Sequence, residues 1–200
     1  WPDFAGVDHP LNDTRGTPTY LAYGINGLPS IHFNGSAQMA TTRWTDKVYT
    51  VLTVSRLGED SNARLIASKS ENWALGYLNG MENVMYAQSW TSTDKGPQAT
   101  TQPRLYSAVG IAANNLRFYA DGEDLTLNNV QNRNLGYFQL GAAWENSNPA
   151  TGDVSEVLLY SVALDNAQRT SAETYLNAKY NLKGYSGNVP VDTSRPGTYH

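Results

Sequence analysis

An all-β domain, two antiparallel sheets packed as a jelly-roll sandwich with one helix near the C-terminal end, is the fold this sequence predicts. Three observations predict it. Short runs rich in Val, Leu, Thr and Tyr follow one another, each bounded by Gly, Pro, Asn or Asp. Only the segment between Leu164 and Lys179 carries a helical period. The third is length: 200 residues suit one sandwich-sized core, and no internal repeat or heptad divides them.

Taken in order, Trp1 to Tyr20 has three prolines and no sustained period, which predicts an ordered loop or a short edge segment. Ile31 and Phe33 alternate with Ser30, His32 and Asn34, giving a strand that turns at Asn34-Gly35. Val48 to Ser55 is the most β-branched run and predicts a central strand. Arg64 to Ser68 and Trp73 to Leu78 follow as strands across a polar KSEN turn, then Val84 to Trp90. Thr91 to Pro103 lacks apolar periodicity, and a loop of that length is uncommon unless it serves a purpose or moves. Arg104 to Ile111 returns to strand. Leu116, Phe118 and Ala120 alternate with Arg117 and Tyr119 as far as a turn at Asp121-Gly122. Leu135 to Ala142 precedes a second long polar loop, AAWENSNPATGD.

The stretch from Gly152 to Leu182 joins a strand to a capped helix. Val157 and Leu159 fall on one strand face, Glu156, Leu158 and Tyr160 on the other. Asp165 stands three residues before Gln168, the spacing of a capping box with Asp in place of Ser or Thr. Leu164, Ala167, Gln168, Ser171, Ala172, Tyr175, Leu176 and Lys179 form a narrow stripe that predicts a helix from about Asn166 to Lys179. Asn181 and Gly184 offer left-handed stops. Beyond Leu182 the text turns to Gly, Pro and Ser. The domain is therefore read as 1–182, with 183–200 a linker; VDTSRPGTYH resembles the opening of a bacterial immunoglobulin-like repeat, so the chain is read as a piece of a longer one.

Charged residues are 16% of the chain, against roughly 25% in an ordinary globular domain. Net charge is −4, and no Lys/Arg cluster offers a counter-charge to phosphates or anionic lipid, which argues against nucleic-acid binding and membrane insertion. No apolar run approaches a membrane span. Cysteine is absent, which removes disulfides, thiolate metal sites and thiol nucleophiles together. A chain that starts at Trp1 says nothing about a leader.

Four motifs carry a family resemblance. The strand and helix GDVSEVLLY…ALD…YLNAKY resemble the closing segment of bacterial laminin-G-like jelly-roll domains, within the concanavalin A-like lectin/glucanase superfamily. NGLPSIHFNGS (Asn26 to Ser36) resembles that family's opening strand, with Asn34 where Asp is usual. YTVLTVSRL (Tyr49 to Leu57) and LRFYADGEDL (Leu116 to Leu125) resemble its next strand and a later hairpin. Trp1, Asp3 and Gly6 fit loosely a W-x-D-x-S-G-N opening. The resemblance implies the concanavalin A-like sandwich; it does not name a ligand.

Retaining glucanases on this scaffold need two carboxylates about 5 Å apart on one face. Asp121 and Glu123 straddle a turn; Asp153 and Glu156, three apart on one strand, are expected to face opposite ways. The S-I-H of Ser30 to His32 distantly resembles a lyase motif without its companion strands. The sequence thus predicts no catalytic residues. Calcium takes oxygen ligands, which Asn34, Asp153 and the Asp3/Asp8/Asp13 region could supply, and the resemblance implies a structural calcium near the Asn34 turn. The strongest signal is aromatic: five Trp and thirteen Tyr. Sugar C–H faces stack on indole and phenol while amides and Arg bind hydroxyls. Candidate ligand-binding residues are Trp90, Arg117, Tyr119, Trp144 and Asn146 near outward faces and long loops, with Trp73 and Tyr77, whose face is equally consistent with core. The expected function is non-catalytic recognition of a polysaccharide or cell-surface glycan by a module of a secreted or cell-surface bacterial multidomain protein. The alternatives are a structural or protein-adhesion domain and a polysaccharide lyase or glycoside hydrolase.

Overall fold

The structure, a computed structural model, describes residues 10–58, 64–112, 115–128, 130, 132–143 and 147–186. Trp144, Asn146, the opening segment with Asp3 and Asp8, and linker residues 187–200 lie outside the described residues. The described strands are β1 (Leu11–Arg15), β2 (Thr19–Leu21), β3 (Ser30–Asn34), β4 (Gln38–Thr41), β5 (Tyr49–Leu57), β6 (Ile66–Ser68), β7 (Trp73–Leu78), β8 (Met81–Ala87), β9 (Arg104–Ala112), β10 (Asn115–Ala120), β11 (Glu123–Asp124), β12 (Phe138–Leu140) and β13 (Thr151–Tyr160), followed by helix α1 (Asn166–Tyr180). They form a six-stranded sheet, β1-β4-β12-β6-β7-β8, and a seven-stranded one, β11-β10-β9-β5-β13-β3-β2. Both are antiparallel, the sandwich that the sequence predicts.

The β-branched run takes the middle of the larger sheet, with β9 on one side and β13 on the other. Its inward residues Tyr49, Val51 and Leu57 join Phe33, Tyr106 and Phe118 against Trp73, Leu75, Tyr77 and Phe138 of the smaller sheet. Polar tips in this core find partners: Trp73 Nε1 donates to the Tyr49 hydroxyl at 2.9 Å, the Tyr77 hydroxyl donates to the Ser55 carbonyl at 3.3 Å, and the Tyr106 hydroxyl donates to Asn83 Oδ1 at 3.1 Å. Burial pushes the Tyr49 and Tyr77 phenols far up, so both stay protonated. Gly76 at φ +85° lets the backbone approach Tyr106, whose ring would lie 2.4 Å from a Cβ there.

The outward residues of the same strand are apolar as well. Leu52 and Val54, with Leu105, meet Leu176 and Tyr180 of α1, so the helix lies on the outer face of the larger sheet. The predicted capping box is present in full: Asp165 accepts from the Gln168 N–H at 2.8 Å and Gln168 Oε1 accepts from the Asp165 N–H at 3.0 Å. Asn181 stops the helix in the left-handed region.

The buried stripe is the predicted one only in part: Leu176 is buried, with Leu164 and Ala172 packed half-buried beside it. Arg169, Glu173, Leu176 and Tyr180 face the sheet, whereas Ala167, Gln168, Ser171, Tyr175 and Lys179 are exposed. The physical reason is charge compensation. Arg169 pairs with Glu173 and lays its guanidinium 3.6 Å from the centre of the Tyr119 ring, and Glu173 accepts from Ser107 Oγ at 2.8 Å. An apolar-pattern reading cannot anticipate a buried ion pair that carries its own partners.

Smaller departures have local causes. β1 and β2 lie at sheet edges, within reach of the ordered loop or short edge segment that the sequence predicts there, whereas β4 falls in a stretch for which no element is predicted, since QMAT is short. The strand expected over Val84 to Trp90 is displaced to Met81–Ala87, and that expected over Leu135 to Ala142 shrinks to Phe138–Leu140. The long loop after β8 is ordered and covers the edge of the smaller sheet: the Thr91 N–H bonds the Met85 carbonyl at 3.0 Å, the Glu82 N–H that of Pro97 at 2.9 Å, and the Ala99 N–H that of Gly80 at 2.8 Å. An open edge strand invites pairing with another chain, and this loop uses up its bonding groups.

Asp165→Ala removes the cap acceptor and is expected to cost about 1 kcal/mol in urea unfolding, with Asp165→Ser close to the parent.

Candidate functional site

At the end of the sandwich where β5 and β7 begin and β4, β6 and β8 finish, three loops are tied into one surface. Thr45 and Gly136 exchange backbone hydrogen bonds at 2.9 and 2.8 Å, joining the loop before β5 to the loop before β12. The Lys69 N–H donates to the Tyr137 carbonyl at 2.8 Å and the Tyr137 N–H to Ser70 Oγ at 3.2 Å, adding the β6–β7 turn. The Gln88 N–H donates to the Asn72 carbonyl at 2.9 Å, adding the end of β8. Gly136, at φ +68°, is where they meet; a Cβ there would lie 2.3 Å from Ser70 Oγ.

This surface carries aromatic pairs on both flanks of the β6–β7 turn. Trp44, 40% exposed, meets Tyr137 edge-on with centroids 5.5 Å apart, and its Nε1 donates to Asp46 Oδ1 at 3.2 Å. Tyr86 and Trp90 form a second edge-on pair at 5.4 Å. Beside the turn lies a pocket of about 450 Å³ lined by Lys47, Glu71, Gln88, Arg133 and Asn134. Indole, phenol, two amides and both signs of charge are the chemistry of a polyol site: apolar faces for C–H surfaces, and donors with acceptors for hydroxyls.

Of the residues selected from sequence, Trp90 alone among those described adjoins this surface, and it is half-buried. Trp73 and Tyr77 are corrected to core: both are wholly buried between the sheets, where no surface ligand reaches them. Arg117 is exposed and lies 3.7 Å from the Asp124 carboxylate. Tyr119 shares its outer face, but the Arg169 guanidinium covers the ring; burial is the main cause of its raised pKa. Trp44 and Tyr137 were missed. Their signal was present: Trp44 stands among polar residues in TTRWTDK, where no alternation would carry an indole into a core.

Asn34 and Asp153 do not fit a calcium site. Asp153 is held by Arg56, whose Nε donates to Oδ2 at 3.0 Å, and by His32 Nδ1, 2.8 Å from Oδ1. Asn34 Oδ1 accepts from the Ser36 N–H at 3.1 Å and hydroxyl at 2.9 Å. A guanidinium against the carboxylate repels a second cation. Among the described residues no three His, Cys, Asp or Glu gather as a metal group.

The carboxylate parity also needs correction. A bulge between Val154 and Glu156 sets Asp153 opposite Arg56 and Glu156 opposite Val54, so both carboxylates share the outer face of the larger sheet. Each is compensated. Glu156 accepts from Lys179 Nζ at 2.7 Å and the Tyr180 hydroxyl at 2.9 Å. Desolvation lowers the Lys179 pKa, but its bonds to Glu156 and Tyr175 outweigh this and raise it. Glu156 borders a mostly apolar groove of about 750 Å³ between β13 and α1, which also holds Tyr160 and Tyr175.

No family model matches this chain, and no curated protein sequence matches it. Solved structures do. Domain 4 of AbnA, an extracellular GH43 arabinanase from Geobacillus stearothermophilus in complex with arabinotriose, is 17% identical over 78% of this chain and 81% of its own, with a TM-score of 0.56. The binding domain of Paraclostridial Mosquitocidal Protein 1 is 12% identical over 90% of this chain and 49% of its own, at 0.64. The binding domain of Botulinum Neurotoxin DC in complex with SialylT is 11% identical over 90% of this chain and 47% of its own, at 0.58. This chain therefore spans about half of the toxin binding domains it matches. At such identities the likeness is one of fold, a two-sheet sandwich.

Two outcomes follow from the loop junction and the Asp153 contacts. Gly136→Ala is expected to lower stability by about 1 to 2 kcal/mol in urea unfolding, because the added methyl meets Ser70 in a left-handed conformation. Because Arg56 and His32 already hold Asp153, the Asn34–Asp153 turn is expected to give calcium no linkage to folding, so that Asp153→Asn leaves the Tm difference between calcium and chelator within about 1 °C of the parent's.

Proposed function

We propose that this domain binds a glycan, without cleaving it, through the loop end that carries Trp44, Tyr137 and the adjoining pocket. The observation that carries this is a half-exposed indole beside a concavity that offers amides and charges of both signs. The similarity in fold to domains in complex with arabinotriose and SialylT supports glycan binding in general. The laminin-G-like assignment rests on the four sequence motifs and remains a proposal with it, as does the setting, a module of a secreted or cell-surface bacterial multidomain protein.

The non-catalytic reading rests on how the carboxylates are used. A glycosidase needs one carboxylate free to attack or accept a proton and another free to donate one. Asp153 is clamped by Arg56 and His32, and Glu156 by Lys179 and two tyrosines. Their common face is the one observation that favours cleavage as a second reading.

The test is binding of the purified domain to a panel of neutral and acidic polysaccharides, with soluble product scored in the same wells. Binding without product is expected, and Trp44→Ala is expected to weaken it at least about tenfold while Tm is kept. Product formation would move the assignment to the Asp153–Glu156 face; absence of binding across the panel would shift it to protein adhesion.

A further inference from the structure

We infer that the end pocket selects acidic sugars, holding the carboxylate of a uronic-acid-type pyranose in preference to the neutral sugar; this rests on the glycan reading above. The pocket lining holds two cations, Lys47 and Arg133, and one carboxylate, Glu71. The chain as a whole has 14 Lys and Arg against 18 Asp and Glu. A pocket in which cations outnumber acids thus runs against the charge of the protein around it.

The cations are gathered by the fold, not by the sequence. Lys47 follows Asp46 in one loop and Arg133 lies between two asparagines in another. The Thr45–Gly136 backbone pair brings the loops together, and buried Asn132 donates its Nδ2 to the Lys47 carbonyl at 2.6 Å. The side chain next to Arg133 therefore anchors the backbone that presents Lys47. A carboxylate offers two acceptor oxygens in one plane, which suit a guanidinium fork and an ammonium. The remaining hydroxyls of the same ring have an acceptor in Glu71 and amide groups in Gln88 and Asn134, and Trp44 stands on the same loop as Lys47 for a C–H face. Glu71 also lowers the net charge of the pocket and supplies an acceptor, which suits a carboxylate set among hydroxyls better than a sulfated ring.

The experiment measures affinity of the whole domain for polygalacturonate, alginate and hyaluronan, each beside its carboxyl-reduced neutral counterpart, with dextran sulfate as a polyanion lacking carboxylates. At least one acidic polymer is expected to bind about tenfold more tightly than its own reduced form at low ionic strength. Raising salt should narrow the ratio as charges are screened. A Lys47→Gln/Arg133→Gln double variant should bring the acidic-to-neutral ratio to about one with Tm kept, whatever its effect on the affinity for the neutral polymers. Equal binding of both forms, a preference that survives in the double variant, or dextran sulfate bound as tightly would each overturn the inference. Binding of neutral polysaccharides alone would overturn the acidic preference and leave the glycan reading intact; no binding to any polymer would overturn both.

Discussion

Every residue of β5 from Tyr49 to Ser55 is wholly buried, on both faces of the strand. A strand apolar on both sides has to be covered twice. The smaller sheet covers the Tyr49–Val51 side and α1 covers the Leu52–Val54 side, so the domain is three layers deep at this point. Each buried aliphatic side chain contributes about 1.5 to 3 kcal/mol by leaving water, and Leu52, Val54, Leu105 and Leu176 all do so where the helix meets the sheet. The outer face of the larger sheet is thereby closed over β5 and β9. What stays open is the groove beside α1 and the loops at the end of the sandwich.

Charge is sparse in this chain, and much of it is used inside. Arg104 joins Glu82 of the smaller sheet to Asp121 at the end of β10, with a 2.9 Å bond to Asp121 Oδ2. Glu82 also accepts from the Thr100 N–H and hydroxyl, both at 2.9 Å, which fixes the long loop at its far end. Asp121 Oδ1 accepts the Leu105 N–H at 2.9 Å. A lone buried carboxylate costs several kcal/mol, and both carboxylates of this cluster have a cation and further donors. Here it clasps one sheet to the other at the end opposite the pocket. Arg169 and Glu173 do the same for the helix.

These two uses of charge are the physical ground for proposing recognition at the loop end. A sheet face covered by a helix cannot hold a sugar, and a sheet end clasped by ion pairs has spent its donors. The loops around Gly136 are joined through backbone pairs and through the side chains of Asn132 and Ser70, and the pocket beside them is lined by Lys47, Arg133 and the amides of Gln88 and Asn134. Rigid backbone beneath adaptable side chains is the usual arrangement of a binding loop set.

The sequence by itself determined the sandwich, the central place of β5, the β7 boundaries and the capped helix. These depend on local periodicity and on hydrogen bonds between near neighbours, such as Asp165 with Gln168, which a chain carries wherever it folds. It also marked aromatics as the signal to follow. Only the tertiary structure decided which aromatics are free: Trp73 and Tyr77 meet partners from the other sheet, and Tyr119 meets Arg169, contacts that no spacing along the strand encodes. The face of α1 and the parity of Glu156 were decided there too, the first by an ion pair whose partners lie on the sheet, the second by one extra residue in β13. The pocket is the extreme case, since Lys47, Glu71, Gln88 and Arg133 come from four separate segments and become neighbours only when loop closure brings the chain back on itself.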